Sequence, residues 1–184
     1  MEEKRHLYIV ISQTGTILSR ALKILTGAQY NHSSISLSSD LQQMYSFGRR
    51  NPYNPFWGGF VKESPDTGTF KRFYKTEAVI LEVDISQDKY EELCNLISEM
   101  RSEREEYHYN YLGVFLGAFN VNRKADKKFY CSEFVKDILV KGEVEGVDDL
   151  PEIIQPIHFL QLSHRQVYEG RLREYNNDTM VVHS

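Results

Sequence analysis

Residues 129–135 read Phe-Tyr-Cys-Ser-Glu-Phe-Val and open a segment with helical periodicity. Its apolar positions follow the i, i+1, i+4, i+5 spacing of a buried helical stripe: Phe134, Val135, Ile138 and Leu139. Gly142 stands where a glycine commonly ends a helix, so Cys131 falls in the first turn. A thiol there faces unpaired backbone N–H groups and the positive end of the helix dipole, which both favour the thiolate. We expect Cys131 to be a nucleophile.

The composition is that of an ordinary globular chain. Its 184 residues suit one domain with a substantial core, so residues 1–184 are expected to form a single domain. The formal charge of -4 gives no basic excess, and nucleic-acid binding is not indicated. Two cysteines cannot build a disulfide framework, which favours two free thiols in a reducing compartment.

The termini and the apolar runs bear on location. The sequence shows no signal peptide, no lipidation motif and no run of about 18 apolar residues. We therefore expect a cytoplasmic protein without an integral membrane segment. The oligomeric state is left open by the sequence.

Several segments carry the periodicity of strands or helices. Strands are predicted over residues 6–12, 30–38, 43–48 and 78–85, with a final strand or extended edge over 167–175. Helices are predicted over 17–25, 87–100 with Ser86 as cap, 112–119 and the segment that starts at Cys131. In the second strand, apolar residues alternate with serines, which places His32 on the hydroxyl-lined face. Residues 176–184 are expected to form a frayed tail.

Residues 49–74 differ in character from the rest of the chain. They hold three of the five prolines, three glycines and the only tryptophan, Trp57. Their many aromatic side chains argue against disorder, so a long ordered loop is predicted. This loop would either wall a site, with Trp57 as a substrate contact, or form a structural Ω-loop. The basic residues in and beside it would suit an anionic ligand, although the acidic balance of the chain favours a solvated surface: Arg49, Arg50, Lys62, Lys71, Arg72 and Lys75.

A cysteine hydrolase also needs an imidazole to share the thiol proton and return it to the leaving group, and a third group to orient that imidazole. The chain offers six histidines. Five lie near an end, in aromatic or apolar surroundings, or in a polar loop: His6, His108, His158, His164 and His183. His32 alone heads a strand with a polar face, where a short rigid element can aim its ring. We therefore pair His32 with Cys131.

Two stretches together resemble motifs of the circularly permuted papain-like hydrolases, the YiiX/YaeF-type amidase group related to NlpC peptidases. Residues 31–37, Asn-His-Ser-Ser-Ile-Ser-Leu, resemble the group's histidine at the head of a strand. Residues 130–135 resemble its nucleophile motif, and 109–113, Tyr-Asn-Tyr-Leu-Gly, resemble the tyrosine-containing stretch before the cysteine helix. The histidine precedes the cysteine, as in the permuted branch. The similarity runs roughly from residue 6 to residue 157.

The resemblance implies an α+β, circularly permuted papain-like (NlpC-like) fold, in which a mostly antiparallel sheet packs against helices. It also implies a third polar residue on the strand after the histidine strand. That strand, 43–48, contains no carboxylate, so Ser46 is the expected orienting residue and Gln43 the alternative. A neutral residue there can hold the tautomer of His32 but cannot offset the charge of an imidazolium.

The expected activity is attack by the Cys131 thiolate on an amide, or a related acyl carbonyl, with His32 as general acid and base. The backbone N–H of Cys131 would supply part of an oxyanion hole. Tyr130, Tyr109 or Gln13 could add a side-chain donor. The substrate would be a peptide or a small amide or acyl compound, which the sequence does not identify.

Two alternatives stay open on the same fold. One is an acyltransferase, which passes the acyl group to an acceptor other than water. The other is a catalytically silent binding module, which the missing carboxylate favours. No cofactor is expected, and no metal site either, because two cysteines 37 residues apart do not match zinc-ligand spacing.

Overall fold

The computed structural model describes residues 4–15, 29–51, 53–111 and 127–176, and eight strands in these ranges form one sheet. In chain order they are β1 (Lys4–Gln13), β2 (His32–Ser36), β3 (Met44–Asn51), β4 (Asn54–Glu63), β5 (Glu77–Ser86), β6 (His108–Tyr109), β7 (Lys128–Phe129) and β8 (Arg165–Arg171). Their order across the sheet is β7-β6-β4-β3-β2-β1-β5-β8. All neighbouring pairs are antiparallel except β6 and β7.

Three α-helices accompany the sheet in the described ranges: α1 (Gly68–Arg72), α2 (Gln87–Ser102) and α3 (Cys131–Lys141). Short 3-10 turns cover Arg104–Glu106, Val147–Asp149, Pro156–Gln161 and Leu172–Glu174. Helix α2 begins as predicted, since the Ser86 hydroxyl accepts a hydrogen bond from the Lys89 N–H at 3.3 Å. The predicted helices 17–25 and 112–119 lie outside the described residues, as does nearly all of the predicted tail.

Both faces of the sheet are covered. On one face, alternate residues of β1 (Leu7, Ile9 and Ile11) pack with the buried sides of α2 and α3. On the other, Tyr8 and Val10 join a smaller cluster with Phe70 of α1 and Val167 of β8. A strand buried on both sides needs apolar residues at every position, which explains why β1 reads as a continuous apolar run. The prediction of an α+β chain with a mostly antiparallel sheet is confirmed.

The prediction of a long loop over residues 49–74 is wrong. The segment contains the end of β3, the whole of β4 and α1, and the β3–β4 hairpin pairs Met44 with Glu63 through to Arg49 with Gly58. Gly58 and Gly59 allow close packing of neighbouring chain segments and do not form a loop. A Cβ on Gly59 would overlap the carbonyl oxygen of Tyr107, so only glycine lets the chain before β6 approach β4 this closely.

No helix within the described ranges has both the length and the apolar character that crossing a membrane requires.

Candidate active site

His32 is the first residue of β2 and lies directly opposite Ser12 of β1. The neighbouring Asn31 fixes the approach to the strand, because its side-chain oxygen accepts from the backbone N–H of Thr14 at 3.0 Å. The His32 side chain is only 13% exposed. Its ring is therefore held by the end of a central strand, as the sequence predicted.

A carboxylate contacts the imidazole. Nε2 of His32 lies 3.0 Å from Oε2 of Glu63, the last residue of β4, whose side chain is 11% exposed. The same oxygen accepts a hydrogen bond from the Ser34 hydroxyl at 2.7 Å. Because an ionised carboxylate only accepts hydrogen bonds, Nε2 must carry a proton, and Nδ1 is the nitrogen left for the thiol. Glu63 thus fixes the tautomer that a nucleophilic cysteine requires.

The prediction that Ser46 orients His32 is wrong. The Ser46 hydroxyl is buried and donates to the backbone carbonyl of Ser33 at 2.6 Å. Gln43, the alternative, is exposed, and its side chain accepts from the hydroxyl of Tyr45 at 3.1 Å. The orienting residue comes one strand later, from a segment that composition had assigned to a loop. Residues 59–63, Gly-Phe-Val-Lys-Glu, do not alternate between apolar and polar side chains, so the sequence carries no clear strand signal there.

Cys131 is the first residue of α3, and Gly142 ends that helix, as predicted. The carboxylate of Glu133 accepts from the Tyr130 N–H at 3.0 Å and so caps the helix start. The hydroxyls of Ser132 and Ser33 lie 3.2 Å apart, which ties the helix to β2. The predicted apolar stripe is fully buried: Phe134, Val135, Ile138 and Leu139. Helix packing therefore aims Cys131 at the end of the histidine strand.

The charges of the thiol and the imidazole are coupled. Burial alone would raise the pKa of Cys131, but His32, the backbone N–H of Ser33 and the Ser132 hydroxyl lower it below the ordinary thiol value. Burial alone would lower the pKa of His32, but the Glu63 carboxylate and Cys131 outweigh it and raise that pKa to about 10. Between these two pKa values the pair is a thiolate and an imidazolium.

The other predicted site residues differ in how close they lie to Cys131. Tyr109 lies near Cys131: burial raises its pKa, and the thiol adds to that rise, so its hydroxyl stays protonated as a donor. Tyr130 is the residue before the nucleophile and is buried, with its pKa raised mainly by burial. Gln13 ends β1 and lines a cleft of about 480 Å³ together with Asn31. Trp57 lies on β4 and is 50% exposed.

A cysteine can also serve as a buried apolar side chain or as a metal ligand, and the surroundings of both cysteines bear on these two roles. Both cysteines are free thiols. Cys94 lies half-buried on α2, and burial raises the pKa of its thiol. In the part of the chain that the structure describes, no three His, Cys, Asp or Glu side chains converge as metal ligands would. Cys131 is thus the cysteine whose surroundings favour the thiolate.

Comparisons with known proteins identify no relative of this chain. No family model matches the chain. Neither a curated protein nor a solved structure shows significant similarity to it. The functional argument therefore depends on the contacts of Cys131, His32 and Glu63.

Proposed function

We propose that this protein is a cysteine hydrolase that cleaves an amide or related acyl bond. Cys131 is the nucleophile, His32 the general acid and base, and Glu63 the residue that orients the imidazole and balances its charge. One observation carries the proposal. A buried cysteine at a helix start is electrostatically coupled to a histidine whose Nε2 lies 3.0 Å from the carboxylate of Glu63, which is only 11% exposed.

The reaction has two stages. The Cys131 thiolate attacks the carbonyl carbon, a C–S bond forms, and the oxyanion accepts from the backbone N–H of Cys131 and the hydroxyl of Tyr109. His32 gives its Nδ1 proton to the leaving amine as the C–N bond breaks, which leaves a thioester. Water then attacks the thioester while neutral His32 takes its proton, and the acid and the thiolate are released. An acceptor other than water in this stage would make the same site an acyltransferase.

The fold proposed for this activity is the circularly permuted papain-like fold. Two features of the molecule support it. The histidine heads a strand of the antiparallel sheet, and the cysteine starts a helix packed against one face of that sheet. The histidine also precedes the cysteine in the chain, which is the order in the permuted branch.

The test is the alkylation rate of Cys131 by iodoacetamide as a function of pH, followed by mass spectrometry. The rate should rise well below pH 8.5, the approximate midpoint of a free thiol, because His32 stabilises the thiolate. In His32→Ala that rise should move to higher pH. Cys94 in the same molecule is the internal control and should react slowly in both proteins.

A second arm measures turnover. Wild type and Cys94→Ala should hydrolyse members of a panel of amides, esters and thioesters, whereas Cys131→Ala should remain folded and inactive. Hydrolysis retained in Cys131→Ala would contradict the nucleophile. A normal Cys131 midpoint that does not respond to His32→Ala would contradict the pair and favour a silent binding module.

A further inference from the structure

Arg49 of β3 is an unusual residue within reach of the candidate site. It pairs with Gly58 of β4, at the place where Tyr109 and Tyr111 pack on that glycine: a Cβ there would lie 2.8 Å from Cβ of Tyr109 and 2.7 Å from the Tyr111 hydroxyl. The Nη2 of Arg49 is buried and has no hydrogen-bond partner among the described residues. A buried guanidinium nitrogen without an acceptor costs free energy, so this atom is placed to receive one.

The charges around Arg49 point the same way. Burial lowers the pKa of Arg49, the nearby Arg72 lowers it further, and Tyr111 and Tyr109 oppose them. No described carboxylate forms an ion pair with Arg49. Arg72 is thus a second cation close enough to act on Arg49. An anion bound beside both guanidinium groups would offset the repulsion between them.

Arg72 connects this pair to the cleft beside His32. It ends α1, lines the cleft of about 480 Å³ with Asn31 and Gln13, and its guanidinium stacks 4.3 Å from the ring centre of Tyr53. Asn31 precedes His32 in the chain, and Tyr109 lies within electrostatic range of both Arg49 and Cys131. Asn31 thus connects the cleft and Arg72 to His32, and Tyr109 connects Arg49 to the thiol.

We propose that Arg49 and Arg72 form an anion-binding subsite beside Cys131, so that the substrate carries a carboxylate or phosphate group close to the carbonyl that is attacked. The inference rests on the proposed hydrolase. Guanidinium groups suit this role because their planar forks bind carboxylate and phosphate oxygens in pairs. The buried Nη2 of Arg49 gains its missing acceptor when such a substrate is bound.

The test compares two alkylating probes of nearly equal size, anionic iodoacetate and neutral iodoacetamide, at Cys131. The ratio of their rates reports attraction of the carboxylate, and the iodoacetamide rate divides out any change in the fraction of thiolate. Arg49→Met should lower the ratio by roughly tenfold, the effect of losing one hydrogen bond to a charged group. Arg72→Met should lower it by roughly two- to fivefold, since Arg72 is exposed. Arg49→Lys keeps the positive charge and should lower the ratio less than Arg49→Met does.

Lys71→Met is the matched control, because it removes one positive charge from an exposed position next to Arg72 on α1. Its ratio should equal that of wild type. An equal fall in Lys71→Met, or no fall in either arginine variant, would overturn the subsite. If Cys131 in those same proteins still reacts with iodoacetamide well below the pH expected of a free thiol, the hydrolase proposal stands although the subsite fails. Failure of the subsite and failure of the hydrolase are therefore distinguishable.

A final arm separates the two anions. Succinate and inorganic phosphate are added at constant ionic strength, and protection of Cys131 against iodoacetamide is measured. Protection by succinate assigns a carboxylate substrate, and protection by phosphate assigns a phosphate ester. Protection by either anion should be lost in Arg49→Met. If neither anion protects Cys131 in the wild type, the subsite is contradicted.

Discussion

The charge on Glu63 can be removed with little change in shape by Glu63→Gln. Two unit charges at the observed 3.0 Å interact by about 5.5 kcal/mol at an effective dielectric constant of about 20. The amide retains an acceptor oxygen for His32 Nε2 and for Ser34, so only part of that energy is lost. A net loss of about 1.5–3 kcal/mol for a hydrogen bond between charged groups corresponds to about one to two pKa units.

We therefore expect the pKa of His32 to fall from about 10 to between about 8 and 9 in Glu63→Gln. NMR titration of the imidazole Hε1 signals, with the His32 signal assigned by its absence in His32→Ala, measures this value directly. The imidazolium then loses its proton at lower pH, so the thiolate–imidazolium pair should exist over a narrower pH range.

Glu77→Gln is the matched control, because Glu77 lines the neighbouring cleft but is exposed and does not contact the imidazole. Its effect on the His32 midpoint should be small, since solvent screens its charge. The reasoning would be refuted by the same His32 midpoint in Glu63→Gln and wild type. A wild-type midpoint near 6.5 would refute it as well.

Three further changes test the packing around the site by denaturant unfolding. Phe47→Ala should cost about 3–5 kcal/mol, because the ring is fully buried in an aromatic cluster; a loss below about 1 kcal/mol would contradict that packing. Gly59→Ala should lower the unfolding midpoint, because its Cβ meets the carbonyl of Tyr107; an unchanged midpoint would mean that β6 pairs less closely. Glu133→Ala should cost about 1 kcal/mol by exposing the Tyr130 N–H at the helix start, whereas Glu133→Gln should retain most of the cap.

The parts of the fold that the sequence predicted well have strong local patterns. Helix α3 has an apolar stripe and a glycine at its end, and both its bounds and its buried side agree with the prediction. Strands β1, β2 and β5 are apolar or alternate regularly, and their ends were placed to within a few residues. The two proposed catalytic side chains, Cys131 and His32, each stand at the first residue of such an element, as the sequence predicts.

Glu63 could not be found in this way. Strand β4 contains two adjacent glycines, which local propensity reads as a loop. They are favoured there by contacts with Tyr107 and Tyr109, which are more than 40 positions away in the chain. A strand selected by tertiary packing has little local signal, so the sequence does not mark its last residue as a partner for His32.

The separation of Cys131 and His32 along the chain has a consequence for folding. The contact between Ser33 and Ser132, which holds α3 against β2, joins residues 99 positions apart. Such contacts form only after a large loop-closure entropy has been overcome, and this makes them late events in many domains. Before that step Cys131 has no imidazole beside it and should behave as an ordinary thiol. Pulsed alkylation during refolding would therefore time the last assembly step, with the gain in Cys131 reactivity at low pH marking the arrival of the native state.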